Sequence, residues 1–131
     1  MTQPIRIAII EDDSVIAQMY RMKLESEGFE VDVTSNGRSG VDLVAERDPD
    51  LILLDIQMPE MNGAEALKRI RKLPHGAQIP VIVLTNLGEQ EAPADLRQLD
   101  ISSYIVKADL TPRQVVERVK RTLKVKSDKL D

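Results

Sequence analysis

The chain is expected to fold as a doubly wound α/β sheet of five parallel strands and five helices, and three observations predict this. Apolar runs at residues 5–10 (broken only by Arg6), 51–54, 81–84 and 101–106 recur at similar spacing. The first three are almost wholly aliphatic and lack strict alternation, which is how a strand reads when helices cover both of its faces. Stretches of helical periodicity separate the runs with no break in composition, and strand–helix alternation of this kind gives right-handed crossovers in a parallel sheet.

Taken in order, the first helix opens at Ser14, a good N-cap, places Val15, Ile16, Met19 and Leu24 near one stripe and ends at Gly28. The alternating run Glu30–Thr34 suits an edge strand with one wetter face. A second helix spans about residues 38–47, with Val41, Val44 and Ala45 inward. A third follows Asn62 and Gly63, buries Ala66, Leu67 and Ile70, and stops before Pro74. Pro93 confines the fourth to about residues 93–99, because its ring disfavours helical geometry at Ala92. The last begins at Thr111-Pro112, a cap followed by proline at the first helical position, and buries Val115, Val116, Val119 and Leu123. Residues 124–131 are charged without a sustained apolar stripe and read as a frayed tail.

Composition narrows the function. At 131 residues the chain suits one compact domain. Three scattered rings (Tyr20, Phe29, Tyr104) cannot build a stacking platform for single-stranded nucleic acid. A net charge of −4 argues against a general phosphate-backbone binder, so no DNA binding by this chain itself is expected. With no Cys and one His, the chain has no thiolate nucleophile, Cys-ligated zinc or multi-His metal site. No apolar run approaches the ~20 residues needed to cross a bilayer. The amino terminus does not read as a signal peptide, since Pro4 and Arg6 interrupt any apolar core. The expected setting is the cytoplasm, with no membrane association.

In an open parallel sheet, ligands bind beyond the carboxyl ends of the strands. Glu11, Asp12 and Asp13 follow the first run, Asp55 the third, Thr85 and Asn86 the fourth, and Lys107 the fifth. Carboxylates crowded at one rim repel one another unless a cation intervenes, and hard oxygen donors of this kind suit Mg²⁺, which keeps open positions for a phosphate oxygen. Lys107 and Thr85 offer an ammonium and a hydroxyl to other phosphate oxygens. Asp55 between them is placed to act as a nucleophile, so the set reads as a phosphoryl-transfer centre. Singly, each residue has a bland reading: carboxylates at a helix start, a turn Asp, a strand-ending Thr, a solvated Lys. Their coincidence at the ends of four strands favours chemistry.

At this point the sequence resembles the receiver domain of two-component response regulators. The match is strongest over residues 49–63, PDLILLDIQMPEMNG, which look like the family's phosphoacceptor strand and following loop. Ile9-Ile10-Glu11-Asp12-Asp13 resembles its acidic-pair strand, and Val83-Leu84-Thr85 and Tyr104-Ile105-Val106-Lys107 match the later markers in order. The resemblance implies the flavodoxin-like strand order 2-1-3-4-5, a stand-alone receiver over residues 1–123, and no output domain. It implies that Asp55 is the phosphoacceptor and a Mg²⁺ ligand, with Asp12 as the other carboxylate ligand. Gln57 would bind through its backbone carbonyl and Glu11 mostly through water. Lys107 would pair with the phosphoryl group, and Thr85 and Tyr104 would form the switch, the ring turning inward behind the hydroxyl. The donor would be a phosphohistidine on a sensor histidine kinase or phosphotransfer protein, and the signal would leave to a downstream protein of unknown identity. A homodimer through the fourth helix, fifth strand and fifth helix is compatible with this reading. His75 matches no functional position and reads as a surface loop residue.

Three departures stand out. Ala108 replaces the proline that usually follows the family's Lys, and a cis Lys107–Ala108 bond is expected despite its cost of about 2.5–4 kcal/mol. Asn86 replaces a usually small residue and is expected to narrow access to the phosphoryl group. Pro93 and Asp100 make the fourth helix and its exit unusual. The alternative is a Mg²⁺-dependent phosphohydrolase with an Asp nucleophile. Such enzymes typically carry an acid two positions later, where this chain has Gln57, which cannot donate a proton.

Overall fold

The structure, a computed structural model, describes residues 4–130, with side chains through Lys124. Its elements are β1 (Arg6–Ile10), α1 (Ser14–Ser26), β2 (Glu30–Thr34), α2 (Gly37–Arg47), β3 (Leu51–Leu54), α3 (Gly63–Arg71), β4 (Val81–Thr85), a 3-10 helix (Ala94–Leu99), β5 (Ser103–Val106) and α4 (Pro112–Leu130). All strand pairs are parallel and the order is β2-β1-β3-β4-β5. The four crossovers between successive strands are therefore helical, and the fourth is a 3-10 helix that begins after Pro93 and closes on Asp100 in the left-handed region (φ 58°).

The sheet divides two apolar layers. Ile7, Ile9, Leu51 and Leu53 face α1 and α4, where Tyr20, Leu24, Val115 and Val119 complete the core. Ala8, Ile10, Ile52 and Leu54 face α2, α3 and the 3-10 helix, meeting Val44, Leu67, Ile70 and Leu96. Consecutive residues of β3 thus go to opposite layers and all four are buried, which is why that strand is uninterruptedly aliphatic. Burying each such side chain is worth roughly 1.5–3 kcal/mol.

Several expectations are corrected. Asp13, not Ser14, caps α1: its Oδ1 accepts the N–H groups of Val15 (3.0 Å) and Ile16 (3.1 Å). The buried stripe of α1 runs through Ala17, Tyr20 and Leu24. Val15 lies about 200° around the helix from Ala17 and is 77% exposed. Ala45 is likewise exposed, one step around from the buried Val44. α4 continues to Leu130, past the point where a frayed tail was expected. No peptide bond among the described residues is cis, so Lys107–Ala108 is trans. A short 3-10 turn, Lys107–Asp109, carries the chain away from β5 without the cis penalty.

A half-buried arginine fastens the lower edge of this layer. Arg71, at the last turn of α3, donates from Nε to the Leu99 carbonyl (2.9 Å) and from Nη1 to those of Gly76 (2.8 Å) and Ile79 (2.7 Å). Its Nη2 donates to the Asp100 carbonyl at 2.9 Å. One guanidinium thereby ties α3, the entry to β4 and the exit of the 3-10 helix.

Candidate functional site

The carboxyl ends of β1, β3, β4 and β5 converge on one rim. Glu11 follows β1 and Asp55 follows β3, held in the ladder by its N–H donating to the Ile10 carbonyl (3.0 Å). Thr85 closes β4, and Lys107 leaves β5. Glu11 and Asp55 are 4% and 5% exposed and Thr85 is 0%, the three buried polar side chains of the described residues. Carboxylate oxygens of Glu11, Asp12 and Asp55 lie within 4.8 Å of one another. Asp12 is exposed, so the cluster opens to solvent on that side.

The charges are arranged asymmetrically. Lys107 Nζ sits 2.5 Å from Glu11 Oε1 and 3.7 Å from Asp55 Oδ2. Glu11, expected to reach a metal through water, is the direct partner of Lys107. Its other oxygen accepts the Asp13 N–H (3.1 Å). Burial drives the Glu11 carboxyl up to about 7, against the lowering effect of Lys107 and the Asp13 N–H, and the Asp55 charge adds to the rise. Asp55 Oδ1 accepts the Gln57 N–H at 3.0 Å, which fixes the carboxylate's rotation. The exposed Gln57 side chain plays no part in that bond.

Gly63 explains how the chain following Asp55 stays close. A Cβ there would fall on the Asp55 carbonyl oxygen and come within 2.6 Å of Ile56 Cα. The Gly63 N–H donates to the Ile56 carbonyl (3.2 Å), and Asn62 caps α3 through the Glu65 N–H (3.0 Å). Turn and helix start are thus pressed against the strand end, with Glu60 in the left-handed region (φ 66°) within the intervening loop.

Thr85 and Tyr104 are joined through one residue. The Leu87 N–H donates to Thr85 Oγ1 (3.4 Å), and Tyr104 Oη donates to the Leu87 carbonyl (2.7 Å). The half-buried ring stands beside the loop after β4, and burial together with Glu89 and Glu91 raises the phenol's pKa. Asn86 is exposed beside Thr85. His75 lies at the opposite end of the sheet, where Nε2 is 2.9 Å from the Val44 carbonyl. Of the residues expected at the rim, Glu11, Asp12, Asp55 and Lys107 meet in one cluster, whereas the Asp13 side chain is turned to the start of α1 as its cap. The Glu11–Lys107 pair, the Leu87 link and Arg71 were not foreseen; only the Gly after Asn62 left a visible signal.

Comparison with known proteins decides the family. The model of the response regulator receiver domain matches residues 7–120. The chain belongs to that family. This receiver is 35% identical over 119 residues to the phosphate regulon transcriptional regulatory protein PhoB of Rhizobium meliloti, covering 91% of the chain and 52% of PhoB. It is 35% identical over 130 residues to the regulatory protein AtoC of Escherichia coli, covering 98% of the chain and 27% of AtoC. The receiver thus spans about half or less of the length of these relatives. A receiver domain protein (CheY-like) from Methanospirillum hungatei superposes with a TM-score of 0.85 at 27% identity, covering 97% of this chain and 99% of that one. The receiver domain of the sensor histidine kinase PA1611 from Pseudomonas aeruginosa, with a magnesium ion coordinated in its active site cleft, superposes at 0.81 with 24% identity, covering 93% and 99%. Receiver domains are signalling switches of two-component systems. Among the described residues no helix is long and apolar enough to cross a membrane.

Proposed function

We propose that this receiver is switched by phosphorylation of Asp55. The observation that carries the reading is the placement of Lys107 Nζ against Glu11, 3.7 Å from Asp55, at the mouth of a three-carboxylate cluster. An Asp55 oxygen attacks the phosphorus of a phosphohistidine on a sensor histidine kinase or phosphotransfer protein. The P–O bond forms as the P–N bond breaks, and the imidazole departs. Lys107 moves its charge from Glu11 toward the new phosphoryl oxygens, since a dianion outcompetes one carboxylate. The Gln57 N–H holds Asp55 in its attacking rotation. Thr85 turns its hydroxyl to the phosphoryl group and releases the Leu87 N–H, freeing the loop that Tyr104 grips.

The donor set fits Mg²⁺: hard oxygens only, two of them on buried carboxylates that face each other. Asp12, Asp55 and the Gln57 carbonyl would hold it, with Glu11 acting through water. When bound, it neutralises charge on the transferring group. The partner downstream is a protein that reads the altered surface of this receiver.

The test is labelling of the purified protein by acetyl phosphate with Mg²⁺. Wild type takes up one phosphoryl group and Asp55→Asn takes up none; undiminished labelling of the variant overturns the assignment. Mg²⁺ at a hundred times its Kd stabilises wild type by about 2.7 kcal/mol and Asp12→Asn far less. Equal stabilisation of both would show that the metal binds elsewhere.

A further inference from the structure

A cavity of about 750 Å³ lies away from the acidic rim. It opens at the other end of the sheet, below the amino ends of β3, β4 and β5, against the later turns of α4. That volume is in the range of small-molecule sites. Its two sides differ in chemistry. On one, Arg118 and Arg121 stand three residues apart on α4, which puts both guanidiniums on one face. Arg118 has a single weak partner, Ser103 Oγ at 3.4 Å, and Arg121 has none among the described residues. The Ser103 and Thr122 hydroxyls flank them.

The carboxylates opposite are already engaged. Asp50 accepts the Arg6 N–H (2.8 Å), and Asp48 faces His75 Nε2 at 3.6 Å. Asp100 lies beside the Arg71 guanidinium. These acids therefore leave the two arginines unneutralised while keeping lone pairs for further donors. The surroundings add to the positive potential: residues 112–124 of α4 carry five Lys and Arg against one acid, in a chain whose total is −4.

From this we infer that the cavity binds a small organic phosphate whose remainder carries hydroxyl or amino groups. The forked guanidiniums match a phosphate dianion bidentately. The carboxylates accept from the remainder, and Pro49, Ile79 and Pro80 pack against its carbon skeleton. The site is distinct from the rim and does not depend on Asp55 or a metal.

The experiment is a titration of the full chain, free of Mg²⁺ and at fixed ionic strength, followed by amide chemical shifts. The probes are glucose 6-phosphate, inorganic phosphate and glucose. Glucose 6-phosphate is expected to give saturable shifts at Ser102, Ser103 and Thr122, with inorganic phosphate at least about tenfold weaker and glucose silent, since a tenfold ratio corresponds to about one lost set of hydrogen bonds. Arg118→Gln with Arg121→Gln abolishes saturation while leaving the rest of the spectrum folded, and Asp55→Asn binds as wild type does. The inference is overturned if neither phosphate saturates, if both bind equally, if the arginine double variant retains affinity, or if Asp55→Asn loses it.

Discussion

Replacing Arg71 by Met keeps an unbranched apolar stem and removes the guanidinium that serves four carbonyls at 2.7–2.9 Å. Hydrogen bonds to a charged donor contribute roughly 1.5–3 kcal/mol each, so four amount to about 6 kcal/mol at the low end. Two effects reduce this. The bond to Asp100 is exposed, so water replaces it, and removing a half-buried charge recovers desolvation that already pulls its pKa down. A net loss of about 3 kcal/mol is expected, a large share of the 5–15 kcal/mol typical of a domain. For 131 residues the unfolding entropy is near 0.28 kcal/mol/K, so Tm falls by about 10 °C. Circular dichroism melts and urea titrations, read together, measure it. Arg71→Lys is expected to recover less than half, because one ammonium cannot serve the Gly76 and Ile79 carbonyls and those of Leu99 and Asp100 together. A Tm within about 3 °C of wild type for Arg71→Met would refute the staple.

Gly63→Ala forces the start of α3 away from the Asp55 carbonyl and Ile56; it is expected to cost about 1–3 kcal/mol as overpacking, and to slow acetyl phosphate labelling at least tenfold, which a labelling time course reads. Asn86→Ala opens the exposed side of Thr85 and is expected to hasten loss of the phosphoryl group; equal decay rates in the two proteins would remove any gating by Asn86. In metal-free protein, Glu11 has a folded pKa near 7, above its usual 4.5. Its proton-linked stabilisation is therefore complete below the unfolded value and is lost as pH rises through about 7. Stability of wild type should thus decline more than that of Glu11→Gln between about pH 5 and 8, and parallel curves would contradict the shift.

What the sequence disclosed follows from where each signal resides. β3 and Asp55 were legible because a strand covered on both faces must be aliphatic throughout and its first polar residue marks the rim. α3 was legible because Asn62, Gly63 and the Ala66–Leu67–Ile70 stripe agree. The start of α1 was not, since Asp13 and Ser14 are both good caps and only the backbone decides which oxygen faces the free N–H groups. Lys107 was misjudged in its bond geometry because a family habit was carried onto a residue without the proline. Its pairing with Glu11 joins positions 96 residues apart. Arg71 was silent for a different reason: its partners are carbonyls, which every residue owns and no side chain advertises.

The strand order also sets how local stability is distributed. Asp55 is mounted on the central strand, flanked by β1 and β4 and buried on both faces. Tyr104 rides on β5, which has a neighbour on one side only and one fully buried residue in four. Amide hydrogens of β3 should exchange only through global unfolding, whereas those of β5 and the preceding 3-10 helix open locally at much lower free energy. On the proposed function, the phosphoryl group is received on the least yielding part of the molecule and reported from the part expected to open first. Isotope exchange with and without acetyl phosphate would show the reporting edge change while the receiving strand stays still.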